Sequence, residues 1–304
     1  MEPPAGQRRI EILMAVHHPC LEFFDKQVAS IRAQTHQNWG LTLVVDGEHA
    51  DLMQVLDGWR RLDPRIRCEM VPGHAGCCRT FEHGLAGLKG KDCLVALADQ
   101  DDIWAPRKLE LLEMVFRKSP DTLMAFCDSS VIDDQDRLIS PSLHQCEKRV
   151  PAFGLASLMG RNSISGHAQL FRCELLDEAV PFPEGLCATG LNHDHWLSMV
   201  AAFKGRIQFL NEALVQHRLH GNNQIGPRIR QKNRERGGFG GWCRQNRHLK
   251  TALQIRHRFL GGLAGFPQAS FGRAGMLAWG MRALLDRNPP AAAIYFRACC
   301  AVRA

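Results

Sequence analysis

The chain has 304 residues, 45% of them hydrophobic and 23% charged, a balance that excludes intrinsic disorder and suits one large domain or a domain with an extension. Its net charge of +7 is uneven: residues 1–227 carry 23 basic and 29 acidic side chains, whereas residues 228–304 carry 15 basic and two acidic ones, Glu235 and Asp286. That asymmetry excludes a uniformly basic nucleic-acid binder and predicts two parts that face different partners, with no nucleic acid among them. No uninterrupted apolar run reaches the ~18–20 residues of a membrane span. The opening MEPPAGQRRIEILMAV has too short an apolar run for a signal peptide. The twelve cysteines show no CxxC or other regular metal-ligand spacing, and Cys77-Cys78 and Cys299-Cys300 are adjacent pairs ill suited to a simple disulfide. Reduced, mostly buried thiols in a cytoplasmic protein are therefore expected.

In chain order, Ile10–Val16 (IEILMAV) predicts a buried strand, and Leu21–Ala33 follows with helical spacing. Leu41–Val45 is a second strand ending at Asp46-Gly47, Asp51–Arg61 a second helix, and Ile66–Val71 a third strand. Gly73–Gly76 predicts a turn, Cys77–Leu88 a helix and Cys93–Ala98 a fourth strand. Short apolar strands each followed by a helix argue for βαβ units in a mostly parallel sheet. Right-handed crossovers place the strand C-termini along one edge, where ligands bind in such sheets. Pro106 suits the first turn of a helix over Arg107–Lys118. Thr122–Cys127 is a further strand, residues 140–165 are irregular, and His167–Phe171 is again a strand. Asn192–Phe203 is helical, Arg206–Leu210 and Ala213–Arg218 are short strands, and the basic stretch from Arg228 is helical in character.

ALADQDDIWAPRKLE (96–110) places Asp99, Asp101 and Asp102 just past the fourth strand. Crowded carboxylates repel, and a divalent cation relieves that repulsion by accepting their oxygens. Magnesium or manganese takes one or two protein carboxylates and completes its shell with phosphate, so D-x-D on such a turn suggests a metal-bridged nucleoside diphosphate. In isolation the same acids do no more than cap a helix and favour its dipole.

Four segments in order resemble glycosyltransferase family 2, the inverting GT-A enzymes, and its rhamnosyltransferase-like members. They are AVHHPCLEFFDKQVASIRAQTHQNWGLTLVVDGE, GHAGCCRTFEHGLAGLKGKDCLVALADQDDIWAPRKLE, TGLNHDHWLSMVAAFKGRIQFLNEALV and QHRLHGNNQIG, spanning Ile10 to about Gly226. The resemblance implies a GT-A α/β fold, a catalytic domain over 1–227 and a basic helical extension over 228–304. It implies an inverting transfer of a sugar from a nucleoside-diphosphate donor to a hydroxyl of a glycan or lipid-linked glycan, assisted by Mg2+ or Mn2+. By the family's pattern Asp101 binds the metal, Asp99 touches the donor ribose, Asp194 is the general base and His220 reaches the metal or diphosphate. Asp46 falls near the nucleobase contact, although the family's two aspartates before glycine are here Val45-Asp46-Gly47. Asp102 either assists the metal or caps the helix.

Beside these roles stand plainer readings. Asp194 near a helix start is a favoured cap, and Trp196 reads as core. His193 and His195 are substrate contacts or ordinary surface histidines. His17 and His18, just past the first strand, touch the nucleobase or belong to a plain loop. Arg79 approaches the diphosphate or is solvated on its helix. His217 and His220, three apart on a strand-to-loop segment, share no helical face, so no zinc site is inferred. Asp128 and His195 are the fallback bases.

Between Arg228 and Arg258 lie ten Lys/Arg and one acid, interleaved with Phe239 and Trp242, before the apolar FLGGLAGF and MLAWGMRALL. The extension therefore either lies on an anionic membrane, at the inner face, or packs its apolar side on the catalytic domain. Two alternatives to transfer remain in view. A sugar-nucleotide pyrophosphorylase needs a glycine-rich basic loop where this chain has AVHHPCLEFF. A non-catalytic nucleotide-sugar or carbohydrate-binding protein has no need of Asp99, Asp101 and Asp194 together.

Overall fold

The structure, a computed structural model, describes residues 7–47, 50–150, 153–189, 191–221, 239–267 and 272–299. The strands are β1 (Ile10–Val16), β2 (Trp39–Asp46), β3 (Ile66–Val71), β4 (Leu94–Ala98), β5 (Ile103–Trp104), β6 (Thr122–Ile132), β7 (Leu138–Ser140), β8 (Gln169–Arg172) and β9 (Arg206–Arg218). The helices of the first half are α1 (Leu21–Arg32), α2 (Ala50–Leu62), α3 (Cys77–Ala86), α4 (Lys108–Lys118), α5 (Leu143–Cys146) and α6 (Leu155–Gly160). Those of the second half are α7 (Leu175–Ala179), α8 (His193–Lys204), α9 (Phe239–Leu260), α10 (Arg273–Leu285) and α11 (Pro289–Cys299).

All strands join one sheet in the order β3-β2-β1-β4-β8-β6-β9-β5, with β7 on the flank of β6. β1 pairs in parallel with β2 and β4, β2 with β3, and β6 with β9. β8 runs antiparallel between β4 and β6, so β6 and β9 point the same way as the first four strands. The sheet is thus mostly parallel, as expected. β1, β2 and β4 are apolar nearly throughout because both their faces are covered. α1 buries Phe23, Phe24, Gln27, Val28 and Ile31, a helical stripe turned to the sheet.

Local differences from the sequence reading have physical causes. Pro106 lies in the turn before α4, whose helical run starts at Lys108. The segment expected to be irregular holds two short helices, α5 and α6, the first capped by Ser142 accepting from the Gln145 amide at 3.0 Å. The strand expected from His167 begins at Gln169, because residues 166–168 form a 3-10 turn. The two short strands expected over 206–218 are one strand, β9, whose register against β6 shifts at Cys127/Asp128 and Asp128/Ser129.

Cys78 and Cys187 are joined in a disulfide, with Cα atoms 5.9 Å apart across 109 residues. This corrects the expectation of reduced cysteines for that pair; Cys20, Cys68, Cys77, Cys93, Cys127, Cys146 and Cys173 are free thiols. The adjacency of Cys77 and Cys78 bears only on a bridge between neighbours, whereas packing of α3 against α8 brings Cys78 to the 3-10 turn at Cys187–Thr189.

The described part of the basic extension packs on the rest of the chain. Tyr295, fully buried, donates to the Ala156 carbonyl at 2.8 Å. A Cβ on Gly160 would sit 3.1 Å from the Ala291 Cβ, so α6 and α11 approach closely. Arg228 to residue 238 lie outside the described residues, as do the side chains of Phe239 and Trp242. Among the described residues no helix is long and apolar enough to cross a membrane.

Candidate active site

The C-terminal ends of β1, β2 and β4 open onto a cleft of about 1790 Å³ whose lining includes His17, Asp46, Asp99, Asp101, Asp194 and His220. At the β2 end, Asp46 is 3% exposed and its carboxylate accepts the amides of Ala75 at 2.7 Å and Gly76 at 2.9 Å. Gly73 and Gly76 supply the positive φ angles, 73° and 78°, that turn those amides toward it. His17 is held beside it by a 3.1 Å contact from Nδ1 to the Asp46 carbonyl. Gln100 fixes the backbone of His17 from across the cleft, accepting its N–H at 2.9 Å and donating to its carbonyl at 3.0 Å. His18 and His74 pack edge-on against His17.

The acidic turn after β4 divides by burial. Asp102 is fully buried and accepts from His217 Nδ1 at 3.0 Å and from the Arg218 amide at 3.1 Å. Burial pushes its carboxyl up, but His217 and His167 outweigh that and hold it down at about 2. The same pairing overcomes burial at His217 and raises its imidazole to about 9. Asp102 is therefore not a cap of α4, which starts at Lys108, but half of a buried ion pair. Asp101 is the opposite case: burial, then the charges of Asp102 and Asp99, push its carboxyl up to about 6 despite His220 Nε2 at 2.7 Å from Oδ2. Asp99 keeps 41% of its side chain exposed and meets His167 Nδ1 at 3.2 Å. One ligand atom from each of Asp99, Asp102, His167 and His217 lies within 4.8 Å of the others, and the same holds for His17, Asp46 and His74.

On the facing wall, Asp194 sits in the first turn of α8. Its Oδ2 accepts from Asn162 Nδ2 at 3.1 Å and its Oδ1 from the His195 amide at 2.7 Å. A Cβ on Gly166 would lie 3.3 Å from the Asp194 Cβ, so the 3-10 turn closes against it. His193 is buried and stacks on Phe81 with ring centroids 4.1 Å apart, and burial lowers its pKa. His195 is buried with Nε2 2.6 Å from the Leu158 carbonyl, and burial with the charge of Arg256 pushes it down to about 3. Neither is a surface histidine. Trp196 is core, its indole donating to the Ala179 carbonyl at 2.9 Å. Cys77 lies among the carboxylates: burial, then Asp99, Asp194, Asp46 and Asp101, drive its thiol up to about 12.

Of the expected site residues, His17, Asp46, Asp99, Asp101, Asp194 and His220 line one cleft, whereas Arg79 does not. Arg79 pairs with Glu82 on α3, and Glu82 is in turn held by the Phe182 amide at 2.7 Å. The fallback base Asp128 is buried and occupied, accepting from the Ser129 amide, the Ser142 hydroxyl and the His144 amide. Asn222 and Asn223 of the R-x-H-G-N-N segment lie outside the described residues. Arg218 from that segment is fully buried and donates to the Asp101 carbonyl at 2.9 Å.

Cleft residues that went unread in the sequence include His167, Asn162, Arg149 and Arg256. His167 carries no local signal, since its partners Asp99 and Ser129 are distant in the chain. Arg149 is held by Glu147 at 2.9 Å and by Ser165 Oγ at 2.9 Å. Arg256, from α9, donates to the Met159 and Gly160 carbonyls at 2.6 and 3.2 Å. It caps α6 and brings the extension into the cleft wall.

The family model described as "Glycosyltransferase like family 2" matches residues 21–238. An uncharacterised glycosyltransferase of Nostoc sp., alr2836, is 27% identical over 206 residues, 66% of this chain and 62% of that protein. The uncharacterised protein y4gI of Sinorhizobium fredii is 25% identical over 177 residues, 58% of this chain and 18% of that one. The alignments thus span under two thirds of either relative's length. S. aureus TarS 1-349, solved with UDP-GlcNAc, matches with a TM-score of 0.52 at 11% identity, over 82% of this chain and 66% of that one. Mannosyltransferase PcManGT of Pyrobaculum calidifontis, solved with GDP-Man and Mn2+, matches with a TM-score of 0.52 at 15% identity, over 98% and 88% of the two chains. The fold is that of the GT-A glycosyltransferases. With most of its length matched by the family model, the chain belongs to glycosyltransferase family 2.

Proposed function

We propose that the chain is an inverting glycosyltransferase that moves a hexosyl or deoxyhexosyl group from a nucleoside diphosphate to a hydroxyl of a glycan or lipid-linked glycan. The observation that carries this reading is one cleft with carboxylates on two walls, Asp99 and Asp101 at the end of β4 and Asp194 at the start of α8. Its volume of about 1790 Å³ exceeds the roughly 300–1,000 Å³ of a pocket for one small ligand, which leaves room for donor and acceptor together. In this reading residues 1–227 form the catalytic domain and residues 228–304 an extension that completes the acceptor side through Arg256 and Ile294.

Asp46 and His17 line the nucleobase end, Asp99 faces the ribose, and Asp101 with His220 faces the diphosphate. The residues fit a divalent cation. Asp101 is held well above the usual carboxylate range by its buried, acidic surroundings, and that unfavourable charge is what a cation relieves. The Asp102–His217 pair fits less well, because Asp102 Oδ1 already accepts from His217 Nδ1 at 3.0 Å and from the Arg218 amide at 3.1 Å. Bound at Asp101, Mg2+ or Mn2+ would supply Lewis-acid stabilisation of the leaving diphosphate. Asp194, oriented by Asn162 and by the His195 amide, takes the proton of the acceptor hydroxyl as it attacks the anomeric carbon. One in-line displacement needs no second carboxylate and inverts that carbon.

The test is release of nucleoside diphosphate from a panel of UDP-, GDP- and dTDP-sugars, with and without Mn2+. The reading expects at least one donor to be turned over and chelation to stop it. Binding of a donor without turnover, whatever the metal or acceptor, would favour the non-catalytic alternative.

A further inference from the structure

α10 is apolar on two adjoining faces. Met276, Gly280 and Ala283 are buried, Met276 and Ala283 as core and Gly280 with Phe296 against it. On the adjoining face, about 100° round the helix, Leu277, Met281, Leu284 and Leu285 are 45%, 56%, 40% and 75% exposed. Their spacing i, i+4, i+7, i+8 puts them on a single helix face, where scattered single leucines would need no explanation.

The stretch of chain that holds that face is strongly basic. From Phe239 to Cys299 the sequence has nine basic residues and one acid, Asp286. Asp286 is 20% exposed: its carboxylate lies against Gly154 and 3.5 Å from Ser157 Oγ on α6, and its other oxygen is 3.9 Å from Arg282 Nε. Arg282 is 70% exposed at the edge of the stripe, and Arg287, exposed with φ at 56°, closes its end in the turn after the helix. An apolar helix face rimmed by arginines complements a surface that is apolar inside and anionic outside.

We infer that the α10 face formed by Leu277, Met281, Leu284 and Leu285, with Arg282 and Arg287, docks the protein on an anionic lipid bilayer. The helix lies in the interface with its leucines among the acyl chains and its arginines on lipid phosphates. α10 packs on α11, which contributes Ile294 to the cleft wall, so a docked molecule holds its acceptor side one helix layer from the lipid. This deepens the proposed function by making the acceptor lipid-linked, and it rests on that reading only for the identity of the acceptor.

The test uses the full-length protein and needs no turnover, so failure of the transfer reading leaves it intact. Co-sedimentation is measured with vesicles of phosphatidylcholine alone and of phosphatidylcholine with phosphatidylglycerol, at low and at high salt. Binding is expected to the anionic vesicles only and to weaken with salt. The double variants Met281→Glu/Leu285→Glu and Arg282→Glu/Arg287→Glu should each bind about ten-fold more weakly or worse. Exposed sites tolerate these changes, and an unchanged circular dichroism spectrum and melting temperature verify that. Three results overturn the inference: no binding of the intact protein to anionic vesicles at low salt, unchanged binding of the Met281/Leu285 variant, or a concentration-dependent dimer that this variant abolishes, which would make the face an interface between copies.

Discussion

Asp194→Asn separates chemistry from binding and folding. Of the two hydrogen bonds that hold Asp194, 3.1 Å from Asn162 and 2.7 Å from the His195 amide, the second survives in an amide, whose oxygen accepts the His195 N–H; Asn162 meets the new NH2 group only by rotating its own amide, which gives up the bond its oxygen accepts from the Ile164 amide at 3.1 Å. What is lost for the fold is that Ile164 bond, about 0.5–1.5 kcal/mol, and one negative charge in the first turn of α8, about 0.3–1 kcal/mol. What is lost for the reaction is the proton acceptor, and removal of a positioned general base typically costs about 10²–10⁴-fold, or roughly 2.7–5.5 kcal/mol of barrier. The kinetic loss exceeds the folding cost, so the variant should be folded, bind donor nearly as tightly as the parent and transfer slowly. Donor affinity by calorimetry beside a single-turnover transfer rate reads both quantities. A drop in donor affinity as large as the drop in rate would refute the assignment and move Asp194 to the donor site. An undiminished rate would refute it outright.

Asp101→Asn should abolish metal-dependent donor turnover and weaken nucleoside-diphosphate binding in Mn2+ while leaving the melting temperature of the free protein near the parent's; full turnover by the folded variant contradicts this. Arg256→Ala should destabilise the protein by about 1–3 kcal/mol, because the Met159 and Gly160 carbonyls lose their donor; urea titration checks it, and a change within error would show that α6 does not need this cap. Asp63, held down at about 2 by the Arg65 side chain against the opposing effect of burial, with the Arg65 amide and Arg32 assisting, stabilises the fold above its ordinary value of 3.8 and loses that contribution as pH falls toward 2. With its arginine partners 29% and 36% exposed, the contribution is about 1–2 kcal/mol. Asp63→Asn should therefore be less stable than the parent at pH 7 and converge with it between pH 4 and 2; a gap that is constant across that range would show that ionisation is not its source.

The sheet was legible where turns bound a short strand-like run. IEILMAV and IRCEMV coincide with β1 and β3 to the residue, because turns bound each run and a helix follows. β5 was not legible, since two residues carry no periodicity and its pairing with β9 reaches across more than a hundred positions. The acidic turn was visible as a charge cluster, yet its division into a buried Asp102 and a half-exposed Asp99 depends on His217 and His167 arriving from elsewhere in the chain. The same holds for Asn162 and Gly166 around Asp194, for Arg256 in the cleft wall and for the Cys78–Cys187 bridge. Each is a long-range pairing of residues whose neighbours in sequence show nothing. Arg79 illustrates the converse: the sequence places a cation near the cleft, but Glu82 one turn further along α3 claims it.

A crystal grown with Mn2+ and a nucleoside diphosphate tests whether a metal-bridged diphosphate sits at the end of β4. The anomalous signal of manganese should fall against Asp101, with the diphosphate completing its shell and the base toward Asp46 and His17. Manganese bound instead at the His17, Asp46 and His74 group, or a nucleotide seated away from Asp99 and Asp101, would contradict it.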